Sequence, residues 1–249
     1  MSILNDHRDQ LGVSAQGFEA AIEKNRAFLQ TAANIELISP VINNGELSVE
    51  VKINNTTGHK LPSSYPSRRA FIHFVVKNEA GQTLFESGIL NADGSIKDVE
   101  LDSDTTTFEP HYDLITQQDQ VQVYEPIMAD TNGDVTHTLL RAADYLKDNR
   151  LPPAGFDKLN VPDDVRVVGA AWGDDNFNNG SDTVTYRVNV GNNNKLTVTA
   201  ELKYQTLSYG HLQDLFKDNH IQRVAEFKAM FDTATIRAET IASVSQIVE

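Results

Sequence analysis

The sequence predicts a mainly β protein: an antiparallel β-sandwich with an N-terminal helix and C-terminal helices. Three observations lead there. Residues 47–53 in "ELSVEVKIN" alternate strictly between apolar and polar, the period of a half-buried strand. Val184, Tyr186, Val188 and Val190 alternate in the same way, "GNNN" interrupts, and Leu196, Val198, Ala200 and Leu202 alternate again. These patterns recur at irregular intervals across long, turn-rich loops, which argues for a sandwich and against alternating βαβ units.

Taken in order, Phe18, Ile22 and Leu29 share one face at helical spacing between Ser14 and Ala33, with Glu19, Glu23, Lys24 and Arg26 for the wet side, so an amphipathic helix is expected there. In the next strand Leu47, Val49, Val51 and Ile53 point inward. "AFIHFVVK" is apolar on both faces, as a central strand is, and "NEAGQ" turns it into "TLFESG" as a hairpin. Residues 90–160 are rich in turn residues, with short strands at "QVQVYEPIM" and "VTHTLL" and a helix expected at "LLRAADYLKD". "RVVGAAW" reads as a strand, and Thr183–Tyr204 as a hairpin closed by "GNNN". From Tyr209 onward Leu212, Leu215, Phe216, Ile221, Val224, Phe227 and Phe231 recur at helical spacing. The expected partition is a connecting helix over 1–33, a sandwich with long loops over 34–207, and a helical segment over 208–249 packed on it.

Composition narrows the function. Twenty-one Lys and Arg stand against 35 Asp and Glu, a formal charge of −14, so a nucleic-acid backbone would meet a repulsive field. There is no cysteine, which removes disulfides, thiolate metal sites, thiol nucleophiles and the CxxCH attachment of a c-type haem. No run of about 18 apolar residues spans a membrane, and "MSILNDHRDQLGVSAQ" carries no export-signal pattern. The chain as written reads either as cytoplasmic or as lacking an upstream export signal. No nucleophile elbow, SxxK, HExxH or phosphate-binding glycine loop is present, so no catalytic residues are assigned and an enzyme is not expected.

The most constrained stretch is "NNTTGHKLPSSYPSRR", residues 54–69. Gly58 can take positive φ and Pro62 pushes Leu61 into extended backbone, so His59 is bracketed by restraint on both sides. A rigid turn sets where an imidazole points, and imidazole is both a common metal ligand and an axial ligand of haem iron. A plain surface histidine in a tight loop is the alternative.

The segment "NNTTGHKLPSSYPSRRAFIHFVVKNEAGQTLFESG" resembles the carboxy-terminal β-domain of multihaem c-type cytochromes, where a GHxLP turn is followed by an arginine pair and a strand. The similarity continues through "DLITQQDQVQVYEPIMAD", "LLRAADYLKDNRLPPAGFDK", "DDNFNNGSDTVTY" and "LKYQTL". In such relatives the domain follows a region of CxxCH haem sites, and the histidine of the turn can complete a haem's coordination. Carried over, that residue is His59. This chain departs from the pattern in having no CxxCH, so the resemblance implies a haem c held by a partner domain or an N-terminal region outside this sequence. It also implies a haem-bearing cytochrome domain or redox protein as partner, and the periplasm or cell surface as location.

Arg68 and Arg69 are candidates for pairing with haem propionates, since guanidinium binds carboxylates bidentately. Adjacent strand residues face opposite ways, so only one of the two is expected to do so. "GDDNFNNGSD" gathers Asp174, Asp175, Asn176, Asn178 and Asp182, oxygen donors suited to a calcium ion or simply to turn formation. "DTNGDVTHTLLR" begins like a calcium loop but lacks the required glycine and final glutamate, and reads as a turn. His73 is expected to be a hydrogen-bonded sheet histidine. The function expected is a non-catalytic domain supporting electron transfer by packing on a haem domain; the alternative is a free-standing, calcium-stabilised β-sandwich that binds carbohydrate or protein.

Overall fold

The computed structural model describes residues 2–14, 16–235 and 238–249. A short helix α1 (Ser2–Asp6) and the amphipathic α2 (Phe18–Leu29) precede the first strand. β1 (Ala33–Asn43) and β2 (Glu46–Asn55) form an antiparallel pair. β1 was not expected from the sequence. Its period-two signal is broken where the register shifts between Ile38 and Val41, at Ser39 with φ 48° and Pro40. A bulge with proline is what an edge strand tolerates.

β3 (Arg69–Asn78) and β4 (Thr83–Ser87) make the expected hairpin through Asn78 and Gln82. Then follow α3 (Glu100–Ser103), the two-residue strands β5 (Leu114–Ile115) and β6 (Val123–Tyr124), β7 (Pro126–Ala129), β8 (Val135–Thr136) and β9 (Asp144–Asp148). β10 (Ser181–Asn189) and β11 (Leu196–Gln205) come next, then α4 (Tyr209–Phe216), α5 (Gln222–Asp232) and β12 (Glu239–Val248).

Among the described residues one sheet runs β1-β2-β10-β5 and a second runs β12-β11-β3-β4, with β6 also paired to β3. The two stack face to face. Leu47, Val49, Val51, Val184, Tyr186 and Val188 of the first meet Ile72, Phe74, Val76, Val198, Ala200 and Leu202 of the second in one core. Phe74 and Tyr186 stack across the layers with centroids 3.9 Å apart. The mainly antiparallel sandwich flanked by helices is therefore as the sequence predicts. A third sheet, β8-β7-β9, is built from the loop-rich middle.

Four expectations are corrected. β10 and β11 do not form a hairpin: they lie in different sheets, and residues 190–195 arch across the sandwich. The arch is held by Val190 and Gly191 N–H groups donating to the Gly45 carbonyl. A side chain on Gly45, at φ 80°, would sit 2.9 Å from the Gly191 oxygen.

"LLRAADYLKD" is not a helix. A 3₁₀ turn at Leu139–Arg141 leads into β9, whose pairing with β7 and whose buried Lys147–Glu125 ion pair at 3.1 Å override a modest helix propensity. "RVVGAAW" contributes a single bridge at Val168 and then a 3₁₀ turn, because Gly169 at φ 87° breaks the strand. The segment 208–249 is not wholly helical either. β12 returns to the second sheet beside β11, so the sandwich includes the C-terminal strand.

One buried ion pair ties the second sheet to its neighbouring loops. Arg69 is fully buried and makes two bonds to Asp102, at 2.8 and 2.7 Å, and one to Gln205 at 2.7 Å. Asp102 also accepts from the Ile96 N–H at 2.6 Å. Removing one partner of such a pair strands the other in low dielectric. Asp102→Ala is expected to lower the free energy of unfolding by about 3–5 kcal/mol in denaturant titration; a loss below about 1 kcal/mol would show that Arg69 reaches water.

Candidate functional site

The turn bearing His59 is set by the last residue of β2. Asn55 is buried, and its amide NH₂ donates to the carbonyls of His59 at 2.8 Å, Leu151 at 3.0 Å and Pro152 at 3.0 Å. Its carbonyl oxygen accepts from the Thr57 N–H and hydroxyl. Leu61 adds a two-way backbone bridge to Leu151 at 2.8 Å, and Lys60 reaches Asp148 at 2.7 Å. The Leu61–Pro62 peptide is cis. Gly58, expected to supply positive φ, is not among the positive-φ glycines, and a Cβ there would meet nothing within 4 Å. The restraint on His59 comes from Asn55 and not from Gly58.

The His59 ring is exposed. Its Nδ1 lies 3.0 Å from the Lys60 carbonyl oxygen, which can only accept, so in the neutral ring Nδ1 carries the hydrogen and Nε2 keeps its lone pair. This is the tautomer that a metal ion would take, with the second nitrogen already fixed by a carbonyl.

His59 stands at the rim of a groove of about 910 Å³ between the two terminal helical regions and the edge of the sandwich. Ile22 and Leu29 of α2, Leu207, and Phe227 and Phe231 of α5 line its apolar part. Arg68 also lines it, half-buried, with a bond from Nη1 to the Ser63 carbonyl at 3.3 Å. Arg69 does not: its guanidinium is spent on Asp102 inside the protein, so of the two arginines only Arg68 faces a possible ligand.

The acidic loop behaves differently from a calcium cage. Asp174 and Asp182 converge on His111, the three ligand-type atoms lying within 4.8 Å of one another. Asp175 is exposed and stands outside this group. Asn176 holds the loop, accepting from the Thr183 N–H at 2.6 Å and donating to Asp113 at 3.0 Å. Calcium takes six to eight oxygens, and here two carboxylates meet an imidazole.

The imidazole is also in the wrong tautomer for an ion. His111 Nδ1 accepts from the amide groups of Gln122 at 2.7 Å and Asn149 at 3.1 Å. Those amides are oriented by the N–H groups of Tyr112 and Glu125, which donate to their oxygens. Nε2 therefore carries the hydrogen and donates to Asp174 at 3.1 Å. The cluster shares protons inside the fold. His111 carries no motif that sequence could single out, because its partners come from 11 to 71 positions away.

Burial raises Asp182 to about 6, against the opposing pull of His111 and the Tyr124 hydroxyl, which donates to it at 2.6 Å. Its other oxygen, Oδ1, is buried with no hydrogen-bond partner among the described residues. Asp174 moves the other way: burial opposes, but hydrogen bonds from His111 and the Asn176 N–H hold it below the usual range.

No model of a known protein family matches this sequence, and no curated protein matches it. Among solved structures the chain is similar to the crystal structure of a penta-haem cytochrome c552 from Thermochromatium tepidum, with a TM-score of 0.51 and 13% identity over 90% of this chain. The chain spans 41% of that protein's length. The likeness is one of fold.

Two predictions follow from this geometry. Because folded Asp182 holds its proton to a higher pH than an unfolded aspartate, near 3.9, the folded state gains protons and stability as pH falls from 6 to 4 and loses that contribution as pH rises through 6. Asp182→Asn, which keeps an acceptor for Tyr124, is expected to gain on the wild type by roughly 2 kcal/mol between pH 4 and 7 in parallel denaturant titrations; parallel curves would place the Asp182 carboxylate in contact with water. Asn55→Ala is expected to destabilise by about 2–3 kcal/mol and to raise amide exchange across residues 57–61, since it leaves buried backbone groups unpaired. Unchanged exchange there would shift the restraint to Lys60 and Leu61.

Proposed function

We propose that this chain is a non-catalytic β-domain that packs on a haem-bearing cytochrome domain, with His59 as an axial ligand and Arg68 as a partner for a haem propionate. The observation that carries this reading is the exposed His59 ring, its Nδ1 held by a backbone carbonyl and its Nε2 left to accept, beside a groove lined in part by apolar side chains of α2 and α5. The fold likeness to a penta-haem cytochrome supports it.

The residues present fit such a group. Neutral imidazole is an axial ligand of haem iron, guanidinium pairs with carboxylate, and apolar walls lower the local dielectric that tunes a reduction potential. A haem in that position supplies the electron-transfer chemistry. This chain's own residues would orient the ligand nitrogen and exclude water from the haem edge. With no cysteine here, covalent attachment of haem c falls to the partner, whose maturation places the pair in the periplasm or at the cell surface.

The competing reading, a calcium-stabilised binding module, has less behind it. Its donor set is one imidazole and two carboxylates, with the imidazole nitrogen already protonated.

A haem c peptide with one open axial position tests the ligand role directly. Mixed with the full chain, it is expected to shift its Soret and Q bands to those of a low-spin bis-histidine haem, and His59→Ala is expected to abolish the shift. No shift with the wild type, or an equal shift with His59→Ala, would remove His59 as the ligand.

A further inference from the structure

The groove below His59 has a charge pattern that the haem reading does not require. Its charged lining groups are Arg26, Arg68 and Glu239, with the His59 imidazole and the Tyr204 hydroxyl beside them. Arg26 is matched by Glu239 through two bonds of 2.9 and 3.0 Å. Arg68 has no carboxylate partner among the described residues, in a chain with 14 surplus negative charges. Two arginines against one glutamate leave a surplus positive charge, on the half-buried guanidinium of Arg68.

The rest of the lining combines apolar side chains from α2, α5 and Leu207 with hydroxyl and amide groups such as Asn25, Thr57 and Thr206. Its apolar part is lined by Ile3, Ile22, Leu207 and Phe227, which are only partly buried, and by the buried Phe231. Apolar surface left wet is unfavourable by roughly 25 cal/mol per Å² relative to covering it. A groove of about 910 Å³ lies within the range of pockets that enclose a small organic molecule, which are mostly apolar with a few placed polar groups.

From this combination we propose that the groove binds a hydrophobic carboxylate: an extended apolar molecule lying between α2 and α5, with its anionic end on Arg68. A guanidinium offers two parallel N–H donors to a carboxylate, and only one of its nitrogens is engaged, by a single long bond to Ser63. An amine would be repelled by the net positive charge, and a neutral alcohol would leave Arg68 unmatched. The proposal shares a groove with the haem-partner reading but does not depend on it, since it needs neither His59 nor a partner chain. Two sources provide this chemistry, a fatty acid and a free porphyrin with its propionates.

The test is displacement of a dansyl-labelled undecanoic acid from the full chain, read by fluorescence, using dodecanoate, dodecanol, dodecylamine and protoporphyrin IX as competitors. Dodecanoate is expected to compete at least tenfold better than dodecanol or dodecylamine. Arg68→Gln, checked for an unchanged melting temperature, is expected to weaken dodecanoate at least tenfold and leave dodecanol unaltered. Ile22→Glu, which puts a negative charge on the apolar part of the groove wall, is expected to abolish all competition. Competition by protoporphyrin IX stronger than dodecanoate would support the proposal with a tetrapyrrole as the carboxylate source; weaker competition would support it with an alkyl chain. Absence of probe binding, equal competition by dodecanol, or an unchanged dodecanoate affinity in Arg68→Gln would overturn it. Those failures would leave the haem-peptide spectrum unaffected, so the two readings fall separately.

Discussion

The side-chain amide of Asn55 holds together the parts of this protein that carry its chemistry. It sits where β2 leaves the sandwich, and its five hydrogen bonds reach the His59 turn and the Leu151–Pro152 segment. Its backbone N–H donates to the Gly180 carbonyl at 2.8 Å, at the end of the acidic loop. Gly180, at φ 88°, has room for no side chain because the Ala154 backbone would lie 2.8 Å from its Cβ. The imidazole turn and the chain leaving β9 are thus joined through one buried side-chain amide, and the loop that carries Asp174 and Asp182 through the backbone of the same residue. An Asn satisfied at both ends of its side chain is rigid in the interior, where any unpaired atom would be expensive.

Around that junction the protein buries a notable amount of charge. Arg69 with Asp102 and Lys147 with Glu125 are each nearly inaccessible. Asp148, also buried, is held below its usual range by Arg150 and Lys60 although burial works against it. Ion pairs of this kind add little net stability, because desolvation offsets most of their attraction. They are informative for another reason. Breaking any of them would strand a buried charge, so they oppose other placements of the loop-rich middle of the chain on the two sheets. That arrangement keeps the His59 turn and the groove beside it in a fixed relation.

Much of this was readable from residue order, and the rest was not for definite reasons. β2, β3 and the β3–β4 hairpin follow from period-two alternation, and β3 is apolar on both faces because Phe71 enters a second core while Ile72 and Phe74 enter the first. The β10–β11 arch escapes the same logic, since two alternating strands look alike whether they pair edge to edge or stack face to face. β12 is nearly exposed along one side, which blurs its alternation after a helical stretch. For the site, the restraint at His59 is visible in the sequence but its source is not: Asn55 works through Leu151 and Pro152, nearly a hundred positions away. Arg69 looks as available as Arg68 until Asp102 is seen to claim it. His111 is brought to Asp174 and Asp182 by tertiary packing alone.

The fold presents the imidazole at position 59 with one nitrogen committed to a backbone carbonyl and the other open. Long-range ¹H–¹⁵N NMR of the ring at alkaline pH reads this without any partner. The expected spectrum has a protonated Nδ1 and an Nε2 at the shift of an unprotonated, solvent-facing nitrogen. A ring protonated at Nε2, or one averaging between both tautomers, would contradict the account, because the Lys60 carbonyl would then not be holding the side chain and no direction would be set for a metal to meet.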